Sequence, residues 1–599
     1  MMKSIFIRLA LGLMLFVNAN AAPMLTLAVL DFQNNSGNPE LDYLEKALAE
    51  MLVTNLGASQ KLTLVERMRL ASILEEHQLS LSGSIDEASA AKIGQLIGAD
   101  HLLFGTIFES GETIRIDARI CNATTGKIIL AEKQEINSAA EIIDGIDLLA
   151  RTLLKKLTKE TIQFYEPLPG GKFLPKAGKV LAINCLLDNP YKLQHSNEPS
   201  YLLINLNAGE LQRNQSRIPL NICMVLDRSG SMAAENKLEF VKKAALFVVD
   251  NLNQDDYFSL VSYDTDVYPT LPSDHLILKE ALKSKIEALQ PGSATNLSGG
   301  LLEGYAQVKT HFAEGYVNRV LLLSDGLANE GITAPDQLQK IAADKNSTGF
   351  TLSTFGVGDD FNEDLMVNLA EFGGANYYFI DSPDKIPQIF SNELQGLLSV
   401  VAQNARIEIQ LEPGVQFLEL FGYRYSQENN RITISLNDIF SKEEKSILIK
   451  LQCDAAEIGE HPLLAVKMIY DDVVISNSRL TEAFQRAIAI TTDQALIAKH
   501  TNPIVLENIV LFESARLLDE AMTNVDRRDF AKARESIASN QTYLQKNVSF
   551  QSSKRLKQQL LNVMRYAEET QQAEKMETQD FERMQKRSKF ENYQQKKKR

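Results

Sequence analysis

The sequence predicts an α/β multidomain chain. A doubly wound, Rossmann-like domain is inserted in a β-sandwich, preceded by a small α/β domain and followed by a C-terminal helical hairpin. Three observations predict it. Between Ile218 and Val357, short apolar strands alternate with helical stretches, the pattern of a sheet covered by helices on both faces. On either side of that region the sequence is strand-rich, with apolar residues alternating as in half-buried strands. From Arg479 helical spacing takes over with few glycines.

At 599 residues the chain has room for several domains, and an apolar content of 44% is ordinary for folded cores. At the N-terminus, Lys3 and Arg8 accompany an apolar stretch from Leu9 to Val17, followed by Ala19-Asn20-Ala21. That is the layout of a secretory signal peptide over residues 1–21, with Ala22 as the first mature residue. The stretch is short for a membrane span, and no Cys follows it to take a lipid. The expectation is a periplasmic or extracellular protein with no transmembrane span in the mature chain.

The first domain is expected over residues 23–160. Leu25–Phe32 is strand-like, Asn34-Asn35-Ser36-Gly37 is a turn, and Tyr43–Leu56 has helical spacing. A second strand surrounds Leu64, Asp86 caps a helix that stops at Gly98, and three strands in hairpin order follow from His101 to Glu135. Pro167, Pro169 and Gly170-Gly171-Lys172 mark a linker. The sandwich is expected to take its strands from 173–216 and 401–475, with the central domain at 217–400 between them. The helical hairpin is placed at 479–568. The stretch 569–599, ending in Lys596-Lys597-Lys598-Arg599, reads as a charged, disordered tail.

The chemistry concentrates in the central domain. Asp227-Arg228-Ser229-Gly230-Ser231 follows directly on the apolar run Ile218–Leu226. Thr295 lies in the turn-rich Pro291–Asn296, and Asp325 ends a second apolar strand, Val320–Ser324. Carboxylate and hydroxyl oxygens from three separate loops are what Mg²⁺ or Ca²⁺ requires, since both prefer hard oxygen ligands. Asn296 reads as the cap of the following helix. Asp264 and Asp266 read as solvated loop residues.

Composition narrows the partners. A formal charge of −15 excludes general nucleic-acid binding, which needs a basic face. The four cysteines show no zinc spacing. They read as buried thiols, although Cys185 and Cys453 lie in strand-like segments flanking the central domain and could meet if those segments form one sheet. Phosphate-loop, zinc-protease and nucleophile-elbow motifs are absent from the sequence, which argues against an enzyme.

The spacing Asp227, Ser229, Ser231, then Thr295, then Asp325 resembles the metal-ion-dependent adhesion site of von Willebrand factor type A domains, and the likeness extends over about Ile218 to Val400. The resemblance implies Mg²⁺ as cofactor, with Ca²⁺ or Mn²⁺ as substitutes. It implies direct ligation by Ser229, Ser231 and Thr295, with Asp227 and Asp325 contributing charge. It also implies a protein ligand that supplies an Asp or Glu carboxylate to the metal. Leu64–Arg67, Ile73–Glu76, Gly98-Ala99-Asp100 and the Gly105-Thr106-Ile107 strand resemble the curli-secretion (CsgG-like) family. With no lipid-bearing Cys and no room for barrel strands, that likeness implies an envelope-facing binding module. The functional expectation is cation-dependent protein capture in cell-envelope adhesion or complex assembly, with other envelope components as further partners. The alternative is a CsgG-like scaffold of a secretion or cell-wall machine in which the metal site is secondary.

Overall fold

The computed structural model describes residues 25–597, apart from 58, 60, 66–91, 95, 112, 137–140, 160–174, 176–178, 212–217, 277–278, 326–327, 359–360, 383–384, 477 and 548–552. The signal peptide, the Asp86 cap, the Ile73–Glu76 likeness and the Gly170-Gly171-Lys172 linker lie outside the described residues. Two compact units emerge. One combines the N-terminal segment up to Pro167 with Ile537–Gln571, and the other combines Leu168–Ser536 with Gln572–Arg599.

In the first unit, β1 (Leu25–Val29) runs parallel to β3 (Leu62–Leu64) and β4 (His101–Ser110), while the two-residue β2 (Gln33–Asn34) also pairs with β4. From β4 the sheet continues as the antiparallel meander of β5 (Thr113–Asn122) and β6 (Ile128–Ile136). Helices α1 (Tyr43–Leu56) and α2 (Ile142–Thr158) bury Leu48, Leu52, Ile146, Leu149 and Leu153. The unit is completed by the helix Lys554–Ala573, far along the chain. Its Lys557 is buried and donates to Asp147 Oδ1 at 2.9 Å and to Asn55 Oδ1 at 3.2 Å, and Asn55 in turn donates to Asp147. A lone lysine in that position would be costly to bury, and the carboxylate makes it tolerable.

In the second unit a two-sheet sandwich hosts an inserted α/β domain. Strands β7 (Leu181–Leu187), β8 (Tyr191–Leu193) and β9 (Ser200–Ala208) precede the insertion. Within the insertion the parallel strands are β10 (Leu220–Asp227), β11 (Tyr257–Tyr263), β13 (Val317–Ser324), β14 (Thr351–Val357) and β15 (Gly374–Ile380). The antiparallel β12 (Val267–His275) closes one edge, giving the order β12-β11-β10-β13-β14-β15. Helices α3 (Lys237–Asn251), α4 (Lys279–Glu287), α5 (Leu297–Thr310), α6 (Pro335–Asn346), α7 (Glu363–Phe372) and α8 (Ile386–Leu397) cover it. One face packs Met224, Leu226, Val241 and Phe390 together, and the other packs Val225, Tyr263, Leu301 and Leu369. Both faces are dry, which is why β10 and β13 read as unbroken apolar runs. An added Cβ at Gly300 would stand 2.4 Å from Tyr263 Cδ1, so only glycine lets α5 approach β11 this closely.

After the insertion come β16 (Val400–Leu411), β17 (Val415–Phe421), β18 (Ser426–Glu428), β19 (Arg431–Phe440), β20 (Glu444–Cys453), β21 (Gly459–Asp472) and β22 (Ser478–Thr491). The sandwich sheets are β18-β19-β16-β21-β22-β8 and β17-β20-β9-β7, so strands from before and after the insertion share each sheet. Ile183, Ile204, Ile407, Ile434, Ile449 and Val466 fill the space between them. Cys185 on β7 and Cys453 on β20 are in one sheet with β9 between them, and all four cysteines are free, buried thiols.

Two sequence expectations are corrected here. Residues from Arg479 do not start a helix: Ser478–Thr491 is a strand pairing along the length of β21, and helices begin with α9 (Gln494–His500), α10 (Pro503–Asp526) and α11 (Phe530–Lys546). The inward phase of this strand is Leu480, Glu482, Phe484, Arg486, Ile488 and Ile490, where two charged residues interrupt the apolar alternation, while Leu480, Ala483 and Phe484 fall at helical spacing. The stretch from 569 is also not a disordered tail. It continues α12 (Lys554–Ala573) and then forms α13 (Thr578–Lys597), with Phe590 and Tyr593 packed against the inserted domain. Phe590 meets Tyr377 edge to face with ring centroids 5.6 Å apart, and Asn592 donates to Asp519 on α10. The physical reason is a narrow stripe (Phe581, Met584, Phe590, Tyr593) that supplies enough apolar area for docking despite a highly charged composition. No helix among the described residues is long and apolar enough to cross a membrane.

Candidate metal centre

Strand β10 lies between β11 and β13: the chain adds β11 and β12 on one side of it, then crosses over to add β13, β14 and β15 on the other. This is the switch point of an open α/β sheet, where the loops beyond the carboxyl ends diverge and leave a crevice. Asp227 ends β10 and Asp325 follows β13, so both carboxylates arrive at that crevice because of where their strands stop.

Four of the five candidate residues are joined by hydrogen bonds. The Ser229 backbone N–H donates to Asp227 Oδ1 at 2.8 Å, Ser229 Oγ and Ser231 Oγ are 3.0 Å apart, and Ser231 Oγ donates to Asp325 Oδ1 at 2.8 Å. Asp227, Ser229 and Asp325 are buried, whereas Ser231 is exposed and forms the solvent side of the group. Thr295 is buried too and is held by its backbone. Its N–H donates to Asn329 Oδ1 at 2.8 Å, and its carbonyl accepts the N–H groups of Asn329 and Glu330. The Thr295 loop is stapled to the Asp227 loop by Gly230 N–H to Ser293 O at 2.8 Å and Gly292 N–H to Arg228 O at 2.5 Å. Asn296 caps α5 by accepting the Gly299 N–H, as its place in the sequence suggested.

The second layer of contacts was not evident from the sequence. Asp227 Oδ2 accepts from Ser324 Oγ at 2.7 Å and from the Tyr263 hydroxyl at 3.3 Å. Burial pushes the Asp227 carboxyl up to about 6, the hydrogen bonds from Ser229 and Ser324 oppose that rise, and the neighbouring Asp325 adds to it. Lys237, at the start of α3, places Nζ 3.1 Å from Asp325 Oδ2, with both side chains fully buried. Asp264 is corrected from a solvated loop residue to a buried one: its Oδ2 pairs with Arg228 at 2.8 Å, and the Arg228 guanidinium lies over the Tyr268 ring. Alternating polar residues at strand ends could have flagged Tyr263 and Ser324. Nothing in the local pattern distinguishes Lys237 from a surface lysine of an amphipathic helix.

Among the described residues no three His, Cys, Asp or Glu side chains gather into a metal-binding group. The centre itself offers two carboxylates and neighbouring hydroxyls, an all-oxygen set of the kind that suits a hard divalent cation.

Comparison with known proteins agrees with this fold. Residues 221–392 match the von Willebrand factor type A domain, and residues 15–115 match the curli production assembly/transport component CsgG. YfbK of Escherichia coli (strain K12) is 30% identical over 256 residues, 42% of this chain and 44% of that protein. Inter-alpha-trypsin inhibitor heavy chain H3 of Mus musculus is 30% identical over 208 residues, 33% of this chain and 22% of that one. The chain thus spans less than half the length of either relative. A solved von Willebrand factor type A structure from Catenulispora acidiphila superposes with a TM-score of 0.51 at 14% identity, covering 61% of this chain and 89% of that one, a likeness of fold alone. Strand order, switch-point crevice and sequence match together identify residues 221–392 as a von Willebrand factor type A domain, carried in a chain whose N-terminal part is CsgG-like.

Proposed function

We propose that this chain is an exported, non-enzymatic binding protein that captures a protein partner through a divalent cation held by Asp227, Ser229, Ser231, Thr295 and Asp325, in cell-envelope adhesion or complex assembly. The observation that carries this reading is the hydrogen-bonded run Asp227–Ser229–Ser231–Asp325 at the switch point of the sheet. Domains of this family mediate protein–protein interaction. When bound, Mg²⁺, or Ca²⁺ or Mn²⁺ in its place, supplies a Lewis-acidic centre able to take an Asp or Glu carboxylate from the partner.

The chain's own residues set the conditions for that. Ser229, Ser231 and Thr295 present neutral oxygens, so ligation by them leaves charge on the ion unspent. Tyr263 and Ser324 fix the rotamer of Asp227, and Asn329 fixes the loop of Thr295. Both carboxylates are engaged by donors, which suits holding an ion rather than shuttling a proton.

A second reading, scaffolding through the CsgG-like unit, is favoured by the way the segment Ile537–Gln571 is built into that unit through Lys557. The two separate in one experiment: partner capture from an envelope extract with Mg²⁺, with chelator, and with Asp227→Ala. Capture lost in both perturbed samples supports the cation-dependent reading. Capture retained in all three refutes it and favours the scaffold.

A further inference from the structure

We propose that Lys237 is a built-in counter-cation of the metal centre, which weakens its hold on the ion and in exchange keeps the loaded site electrophilic toward an external carboxylate. The inference rests on the metal-binding reading above and deepens it. Lys237 Nζ lies 3.1 Å from Asp325 Oδ2, and the lysine is about as buried as the aspartate. The other oxygen of the same carboxylate receives Ser231 Oγ at 2.8 Å. One carboxylate therefore joins a candidate ligand on one side to an internal cation on the other.

The fold makes room for this lysine. Gly358, after β14, has φ +73°, and a Cβ there would stand 2.6 Å from Lys237 Cε. The side chain runs through space that only a glycine leaves open, in a backbone conformation that glycine adopts without strain. Lys237 is also where α3 begins, with Asn236 in a left-handed conformation turning the chain into it. Its place is set by the backbone rather than by a flexible surface stem.

Charge counting gives the consequence. The two carboxylates carry two negative charges and Lys237 one positive. The nearby Arg228 is neutralised by Asp264 at 2.8 Å and adds nothing net. With Lys237 the protein side of the site is one charge negative, so a divalent ion leaves an excess of one positive charge, matched to a single incoming carboxylate. Without it, the ion would be fully neutralised by the protein. In a buried site such a difference is weakly screened. Lys237 should therefore act in opposite directions on the two affinities. A lysine that only stabilised the fold would have no reason to do so.

The test is calorimetric titration of Mg²⁺ into wild type, Lys237→Met, Lys237→Gln and Asp227→Ala, then of acetate into the Mg²⁺-saturated proteins. The expected result is Mg²⁺ binding tightened about tenfold or more in both lysine variants, because one positive charge beside the ion is removed. Acetate binding should weaken several-fold in the same variants. Wild-type Mg²⁺ binding with unchanged or weaker binding in the lysine variants overturns this inference and leaves the metal reading standing. Wild type that binds no better than Asp227→Ala overturns both. Lysine variants that fail to fold even at saturating Mg²⁺, judged by circular dichroism, also overturn it, since Lys237 would then be a structural group that the ion cannot replace.

Discussion

Arg319→Met removes the cation from a buried cluster that ties the inserted domain to its host sandwich. Arg319 is the third residue of β13, a strand buried throughout, and its Nη1 lies 3.0 Å from Glu393 Oε1 on α8 while Nη2 lies 3.1 Å from Asp438 Oδ2 on β19. Glu393 also accepts from Ser353 at 2.5 Å, Asn376 at 2.9 Å and Tyr378 at 2.8 Å, so it keeps part of its solvation when the guanidinium is gone. Asp438 has less support: Gln403 Nε2 is 3.5 Å away, and burial already pushes its carboxyl up against the pull of Arg319. Removing one member of a buried pair costs about 3–5 kcal/mol, and the remaining donors on Glu393 place this case near about 3 kcal/mol. Urea unfolding of wild type, Arg319→Met, Glu393→Gln and the double variant measures it. The double variant should recover about 1–2 kcal/mol relative to the sum of the singles, because the two groups share the same bonds. A loss below about 1 kcal/mol, or strict additivity, would show that water or rearrangement solvates the carboxylates and that the cluster does not hold the two folds together.

Two further outcomes follow from buried groups of the second unit. Glu363 on α7 is pushed up to about 8, chiefly by burial, with Lys589 and Lys586 opposing the rise; Tyr377 donates to it at 3.3 Å. Its folded-state value lies above the unfolded one, so the folded protein binds the extra proton between about pH 4.5 and 8 and loses stability as pH rises through that window. Glu363→Gln should flatten the decline in melting temperature between pH 5 and 9; an identical slope in wild type and variant would refute the assignment. Phe590→Ala should loosen α13 and cost about 2 kcal/mol, less than the roughly 3–5 kcal/mol of a fully buried phenylalanine because this ring is only half-buried. Faster limited proteolysis near residue 590 is the readout, and an unchanged digestion pattern would show that the Tyr377 contact does not hold the helix.

Much of the inserted domain was legible because both faces of its sheet are covered. The continuous apolar runs ending in Asp227 and Ser324-Asp325 announce parallel strands and locate their carboxyl ends, which is also where the oxygen donors fall. Helix α7 carries its boundaries locally: the Asn362 side chain accepts the Leu365 N–H at its start, and Gly373 follows its last residue. Strand β22 was missed because it is a long, largely polar strand whose partner, β21, supplies the pairing that its own composition does not advertise. Helix α13 was missed because charge dominates its composition while docking depends on the few residues of its stripe.

The sequence by itself determined the class of fold and the position of the oxygen donors at strand ends, because these depend on local pattern and residue type. Tertiary structure alone decided that Lys237 faces Asp325, that Tyr263 and Ser324 hold Asp227, that Asn329 anchors Thr295, and that the segment Ile537–Gln571 completes the N-terminal unit. Each of those contacts joins residues far apart along the chain. Their energy comes from shared burial, which no local window of sequence contains.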